Sequence, residues 1–225
     1  MKNFFNPAPV IISFVNIINA SAGDSLLSIK NQFVAGADAV YLTMGTQETN
    51  PAIVMSAGTH MNEKGLLLEN LFAEFIDKKF ILNFLNKESQ IIKDACLIIK
   101  NYHAEERIIA ASNHGKVLRL IHSILPGMGA SFTPMGILGF YALFRTRLLH
   151  FKKRFSGDVL FVPEYIGGSH IANKGLITEA HEKGICVYVF VGDDKNQILR
   201  LQQTGIDGYI TEKVAFLKQV LTPGC

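Results

Sequence analysis

Cysteine is scarce in this chain and poorly placed for chemistry. Cys96, Cys186 and Cys225 are odd in number, far apart and outside any CxxC or Cys/His ligand spacing. They form neither a disulfide framework nor a zinc-ligand set, and reduced thiols in a cytoplasmic protein are expected. Long apolar runs are also missing, since none approaches the roughly 18 residues that would cross a bilayer. No linker or low-complexity segment divides the 225 residues, so one domain spanning 1–225 is expected. Acidic residues are absent from Arg107 to Gly157, a stretch that holds eight of the 22 lysines and arginines; the rest of the chain is net acidic, with 14 basic against 19 acidic residues.

The composition that remains is 48% apolar and 18% charged, as in a globular protein. Near the N-terminus, Lys2, the apolar run Val10 to Ile18 and the small residues Ala20, Ser21 and Ala22 imitate a secretory signal. Pro7 and Pro9 precede that run and Asn16 interrupts it, so it is read as a first strand.

Short continuous apolar runs that stop at polar residues, Gly or Pro indicate parallel strands buried on both faces. They lie at Val10 to Val15, Ala39 to Met44, Phe80 to Leu85, Arg107 to Ala111, Gly129 to Phe132, Val159 to Val162, Cys186 to Val191 and Gly208 to Ile210. Helical patterns follow at Asp24 to Val34, Gly65 to Lys78, Glu88 to Tyr102, Lys116 to Leu125, Pro134 to Phe155, Lys174 to Lys183, Asp194 to Gln203 and Glu212 to Leu221. Eight strands alternating with eight helices in this length predict an α/β fold, a (β/α)8 TIM barrel.

Three segments carry a family resemblance. Gly36-Ala-Asp-Ala-Val-Tyr-Leu-Thr-Met44 followed by Pro51-Ala-Ile-Val-Met-Ser-Ala57 resembles the second strand and hairpin of the glycerophosphodiester phosphodiesterases, GADxxExDVxxTxDGxxVVxHD. Ala180-His-Glu-Lys-Gly184, Val187-Tyr-Val-Phe190 and Gly205-Ile-Asp-Gly-Tyr-Ile-Thr-Glu212 are similar to that family's AHxxG, VxVW and GVDGIITD. Ser112 to Arg119 resembles its SFxxxVLR turn and helix.

The resemblance implies phosphoric diester hydrolysis in lipid metabolism, assisted by a divalent cation such as Mg²⁺ or Ca²⁺ and two histidines. The same alignment places neutral residues where that chemistry belongs. Phe14-Val-Asn16 stands for the family's HRG, Tyr41 and Thr43 for its metal-binding ExD, Ser56 and Ala57 for its HD, and Asn83 and Leu85 for its ExK. Tyr and Thr hold a hard cation poorly, and Phe and Ser cannot shuttle protons near neutral pH. The expectation is a barrel without catalytic residues and without a bound cation, a pseudoenzyme that binds a phosphorylated or lipid-derived ligand or a partner.

The ligand-binding residues expected at the barrel mouth are Asn16, Tyr41, Thr43, Ser56, Asn83, Ser112 and Glu164. The competing reading is a divergent phosphodiesterase whose groups have moved to His60, His114 or Glu164. Glu164 follows the sixth strand and suits either a ligand contact or an ion-paired rim carboxylate. His181 is expected to pack near the end of its helix.

The basic stretch suggests an anionic partner. Its helix from Pro134 to Phe155 is expected to carry one stripe of Ile137, Phe140, Tyr141, Phe144, Leu148, Phe151 and Phe155, with cations clustered near its end. Such a helix suits either the barrel wall or an anionic membrane surface, which would place the protein peripherally on a membrane. Nucleic-acid binding is not expected, because the net charge is only +3 and no recognition motif is present.

Overall fold

The computed structural model describes residues 10–14, 22–46, 53–56 and 66–222. In chain order the first half comprises β1 (Val10–Phe14), α1 (Ala22–Ala35), β2 (Ala39–Thr46), β3 (Ile53–Ser56), β4 (Leu66–Leu67), α2 (Leu68–Glu74), β5 (Lys79–Phe84), α3 (Ser89–Asn101), β6 (Ile108–Ala111), α4 (Gly115–Ile124) and β7 (Gly129–Ala130). The second half comprises α5 (Pro134–Arg145), β8 (Val159–Pro163), β9 (Tyr165–Ile166), β10 (Ser169–His170), α6 (Lys174–Glu182), β11 (Cys186–Phe190), α7 (Lys195–Gln202), β12 (Gly208–Thr211) and α8 (Val214–Leu221).

Eight of these strands pair in parallel in the order β7-β6-β5-β2-β1-β12-β11-β8, and a parallel bridge between Ser131 and Val159 joins the two ends. The result is the expected (β/α)8 barrel. Strand residues alternate between two cores, as period-2 geometry requires. Val10, Ile12, Ala39, Ile81, Ile109, Val159, Phe161, Tyr188 and Ile210 fill the barrel, while Val40, Leu42, Phe80, Leu82, Val187 and Val189 pack outward against helices.

Three aspartates stand immediately before strands and clamp the strand beside them. Asp38 accepts the amide N–H of Ile11 at 2.8 Å, Asp158 that of Ala130 at 3.1 Å and Asp207 that of Val187 at 2.6 Å. Asp207 also meets His181 Nε2 at 2.8 Å, so His181 ties α6 to the base of the barrel as well as packing near its helix end. The helices start on equally local chemistry: Thr133, Asn173 and Asp194 cap α5, α6 and α7 by accepting N–H groups of Gly136, Leu176 and Asn196.

Two helices differ most from the sequence reading. The helix expected over Gly65 to Lys78 is shorter, because Leu66–Leu67 instead pairs as β4 with β3. The helix expected to run from Pro134 to Phe155 ends at Arg145. Thr146 turns its hydroxyl back onto the Ala142 carbonyl, Arg147 takes φ 56°, and Leu148 N–H closes on Leu143 C=O. That left-handed cap stops the helix. A 3₁₀ turn at Leu149–Phe151 follows, and the single stripe is broken: Ile137, Tyr141, Phe144 and Phe155 pack inward with buried Phe140, while Leu148 and Phe151 face solvent. Among the described residues no helix is long and apolar enough to cross a membrane.

Candidate functional site

The C-terminal strand ends of a (β/α)8 barrel carry its functional groups, and here a row of rings runs from that end into the barrel interior. Phe14 closes β1 and lies 5.2 Å, centroid to centroid, from Tyr41 of β2. Tyr41 meets Phe161 of β8 at 6.1 Å, and Phe161 meets Tyr188 of β11 at 5.9 Å. Burial pushes the Tyr41 hydroxyl up to about 12, so it stays a neutral phenol at physiological pH.

Parallel register brings the expected mouth residues of neighbouring strands together. Thr43 of β2 sits opposite Asn83 of β5, and Tyr41 opposite Ile81. Since Ala39, Tyr41 and Ile81 face the barrel interior, alternation puts Thr43 and Asn83 on the same inner wall, one layer nearer the mouth. Ser56 ends β3 and pairs with Thr43 in the antiparallel hairpin. Asn16 and His60 lie outside the described residues.

Ser112 and Glu164 are already engaged with the protein. The buried Ser112 hydroxyl donates to the Phe84 carbonyl at 2.9 Å and accepts from His114 N–H at 3.2 Å, strapping the ends of β5 and β6. Glu164 is 4% exposed. Its carboxylate accepts from Gln197 at 3.0 Å and from Arg200 at 3.2 and 3.3 Å, with His170 Nε2 at 3.8 Å. Its carbonyl accepts from Ile171 and Ala172. This residue locks the β9–β10 hairpin to α7. The sequence signal for the hairpin is Gly167-Gly168, a two-residue turn between short β-type segments that the helix and strand alternation passes over.

A depression of about 400 Å³ opens beside the row of rings at the ends of β1, β11 and β12. Phe14, Phe190 and Ile210 form its apolar side, and Asp193, Glu212 and Lys213 its polar rim. Lys213 pairs with Asp193 across the rim, and its hydrogen bond holds that carboxyl below the usual range. His114 borders a separate hollow, lined also by Lys87, Lys116 and Thr133. The buried Cys96 thiol is pushed up to about 11, as is that of Cys186, so neither is a nucleophile near neutral pH.

Comparison with protein-family models finds no match, and comparison with curated proteins finds none. Solved structures share the fold. An Oleispira antarctica phosphodiesterase in complex with the product sn-glycerol-3-phosphate is 12% identical with a TM-score of 0.72, covering 95% of this chain and 96% of that one. A glycerophosphodiester phosphodiesterase from Agrobacterium tumefaciens is 11% identical with a TM-score of 0.69, over 93% and 99%. Another from Thermotoga maritima is 14% identical with a TM-score of 0.62, over 96% and 100%.

Proposed function

We propose that this chain is a non-catalytic relative of the glycerophosphodiester phosphodiesterases, kept as a barrel that binds a lipid-derived ligand at its mouth. The observation that carries the reading is a row of rings, Phe14 at the end of β1 with Tyr41 and Phe161 beneath it. A divalent cation wants several hard, anionic oxygens. The inner wall offers instead a phenol, a hydroxyl and an amide from Tyr41, Thr43 and Asn83, and among the described residues no three His, Cys, Asp or Glu side chains stand close enough to hold a metal. The residues do not fit the ion. Proton transfer from a positioned acid or base is worth roughly 10²- to 10⁴-fold in rate, and Phe14 supplies none at the end of β1.

The rings suit apolar contact. Phe14, Phe190 and Ile210 offer a lipid-derived molecule a greasy wall, and the Asp193–Lys213 rim offers a place for its polar end. Glu164, the one strand-end carboxylate considered for relocated chemistry within the described residues, is held by Arg200 and Gln197.

Purified protein should not hydrolyse glycerophosphocholine or a chromogenic phosphodiester above background, with or without Mg²⁺ or Ca²⁺. Millimolar amounts of either cation should also leave the melting temperature unchanged, since a ligand stabilises only above its dissociation constant. Cation-dependent turnover, or a saturable rise in melting temperature, would overturn the reading.

A further inference from the structure

At the opposite end of the barrel from the mouth, the segment leaving α5 gathers charge and apolar surface. Arg145, Arg147, Lys152, Lys153 and Arg154 are all exposed, and none pairs with an acid among the described residues. Between them Phe151 is 73% exposed and Leu148 45%. Beside them a hollow of about 520 Å³ has Phe144 and Leu149 at its apolar side and Arg145 and Arg147 as cationic walls, with His150 and Glu179 also on its lining.

The patch is held in shape. Phe155 packs on Phe140 at 5.1 Å and on Phe132 at 5.9 Å, and Lys152 Nζ lies 5.0 Å from the Phe155 ring. Leu149 is buried and anchors the 3₁₀ turn, so the neighbouring Phe151 is presented outward with the His150 ring against it at 4.0 Å. Arg147 holds a left-handed conformation that glycine would adopt without strain.

We infer that this end of the barrel is a docking surface for anionic lipid bilayers. A protruding phenylalanine and leucine ringed by cations with no acidic partner among the described residues match the two contributions that hold a peripheral protein to such a surface, shallow apolar insertion and attraction to acidic headgroups. The attraction is local, because the chain outside the basic stretch is net acidic. Single-stranded nucleic acid would need successive rings spaced along a basic groove, and this patch has only the adjacent Phe151 and His150 rings at one point. The surface is distinct from the mouth and stands whether or not the mouth binds a ligand.

The test is co-sedimentation of the full chain with vesicles of phosphatidylcholine alone or mixed with phosphatidylserine. Binding should require phosphatidylserine and should weaken as salt shortens the screening length. Replacing Lys153→Gln and Arg154→Gln together should weaken partitioning about thirtyfold, at the usual contribution of each cation near an acidic surface. Phe151→Ala should weaken it further, and none of these changes should lower the melting temperature, as exposed side chains rarely support folding. Arg147→Gly separates charge from fold, because it should raise the melting temperature while reducing binding. Equal binding to both vesicle types, binding to neither, variants that bind as the parent does, or retention by single-stranded DNA in preference to acidic vesicles would overturn the inference.

Discussion

Gly208→Ala is expected to destabilise the protein by about 3 kcal/mol and to lower its melting temperature by roughly 10 °C. A Cβ at Gly208 would lie 2.3 Å from the Val10 carbonyl oxygen and 2.9 Å from the Tyr188 ring. Neither neighbour can give way cheaply. Val10 and Tyr188 are the register partners of Gly208 in β1 and β11, so moving either strand strains a ladder on its far side as well. Tyr188 is 1% exposed and fills the barrel centre. Urea titration of both forms measures the difference, and a loss below about 0.5 kcal/mol, the scatter of neutral surface changes, would mean that β12 is not in this register.

A triple replacement, Tyr41→Glu, Thr43→Asp and Asn83→Glu, should make the fold respond to Mg²⁺ or Ca²⁺. Without a cation the variant should be several kcal/mol less stable, because three carboxylates would crowd a half-buried wall. A saturating cation, at about a hundred times its dissociation constant, should restore roughly 2.7 kcal/mol, while the natural chain stays indifferent. The geometry behind this is the Thr43–Asn83 register pair with Tyr41 one layer deeper. A folded variant that ignores both cations would show that the three positions do not converge on one ion.

The barrel is legible because eight doubly buried strands leave eight short, mostly apolar runs, and because the order of the motifs agrees with the order of the strands. The residues that carry the resemblance have structural roles. The Asp of Gly36-Ala-Asp38 and that of Gly205-Ile-Asp207 clamp the base of the barrel, and His181 of the AHxxG-like segment pairs with Asp207. Gly208 is required where β1 and Tyr188 press on β12. The recognisable residues are therefore those that hold the barrel together.

Phe14, Thr43 and Asn83 lie toward the other end, with Tyr41 one layer deeper. Their spacing is that of any inward-facing strand position, so periodicity alone says little about their chemistry. The end of α5 is hidden in the sequence for a local reason: arginine stands where a glycine would announce the left-handed cap. Glu164 was ambiguous because its partners, Arg200 and Gln197, lie more than thirty positions away in sequence.

The closure of the barrel has a consequence for how the molecule breathes. β7 contributes two residues and meets β8 through the Ser131–Val159 bridge, with Phe132 N–H on the Val159 carbonyl and Asp158 N–H on the Ala130 carbonyl. The outer core divides at the same place. One cluster is drawn entirely from residues 29–128, and the other, apart from Ile11 and Ala37, from residues beyond 131. Two half-barrels are thus zipped along a thin seam at β7–β8 and a three-pair seam at β1–β2. Partial opening should run along the thinner one, so the amides of Ser131 and Phe132 exchange hydrogen with solvent sooner than those of central β5 or β11. The half-barrels can part there as cooperative units while each keeps its own apolar cluster.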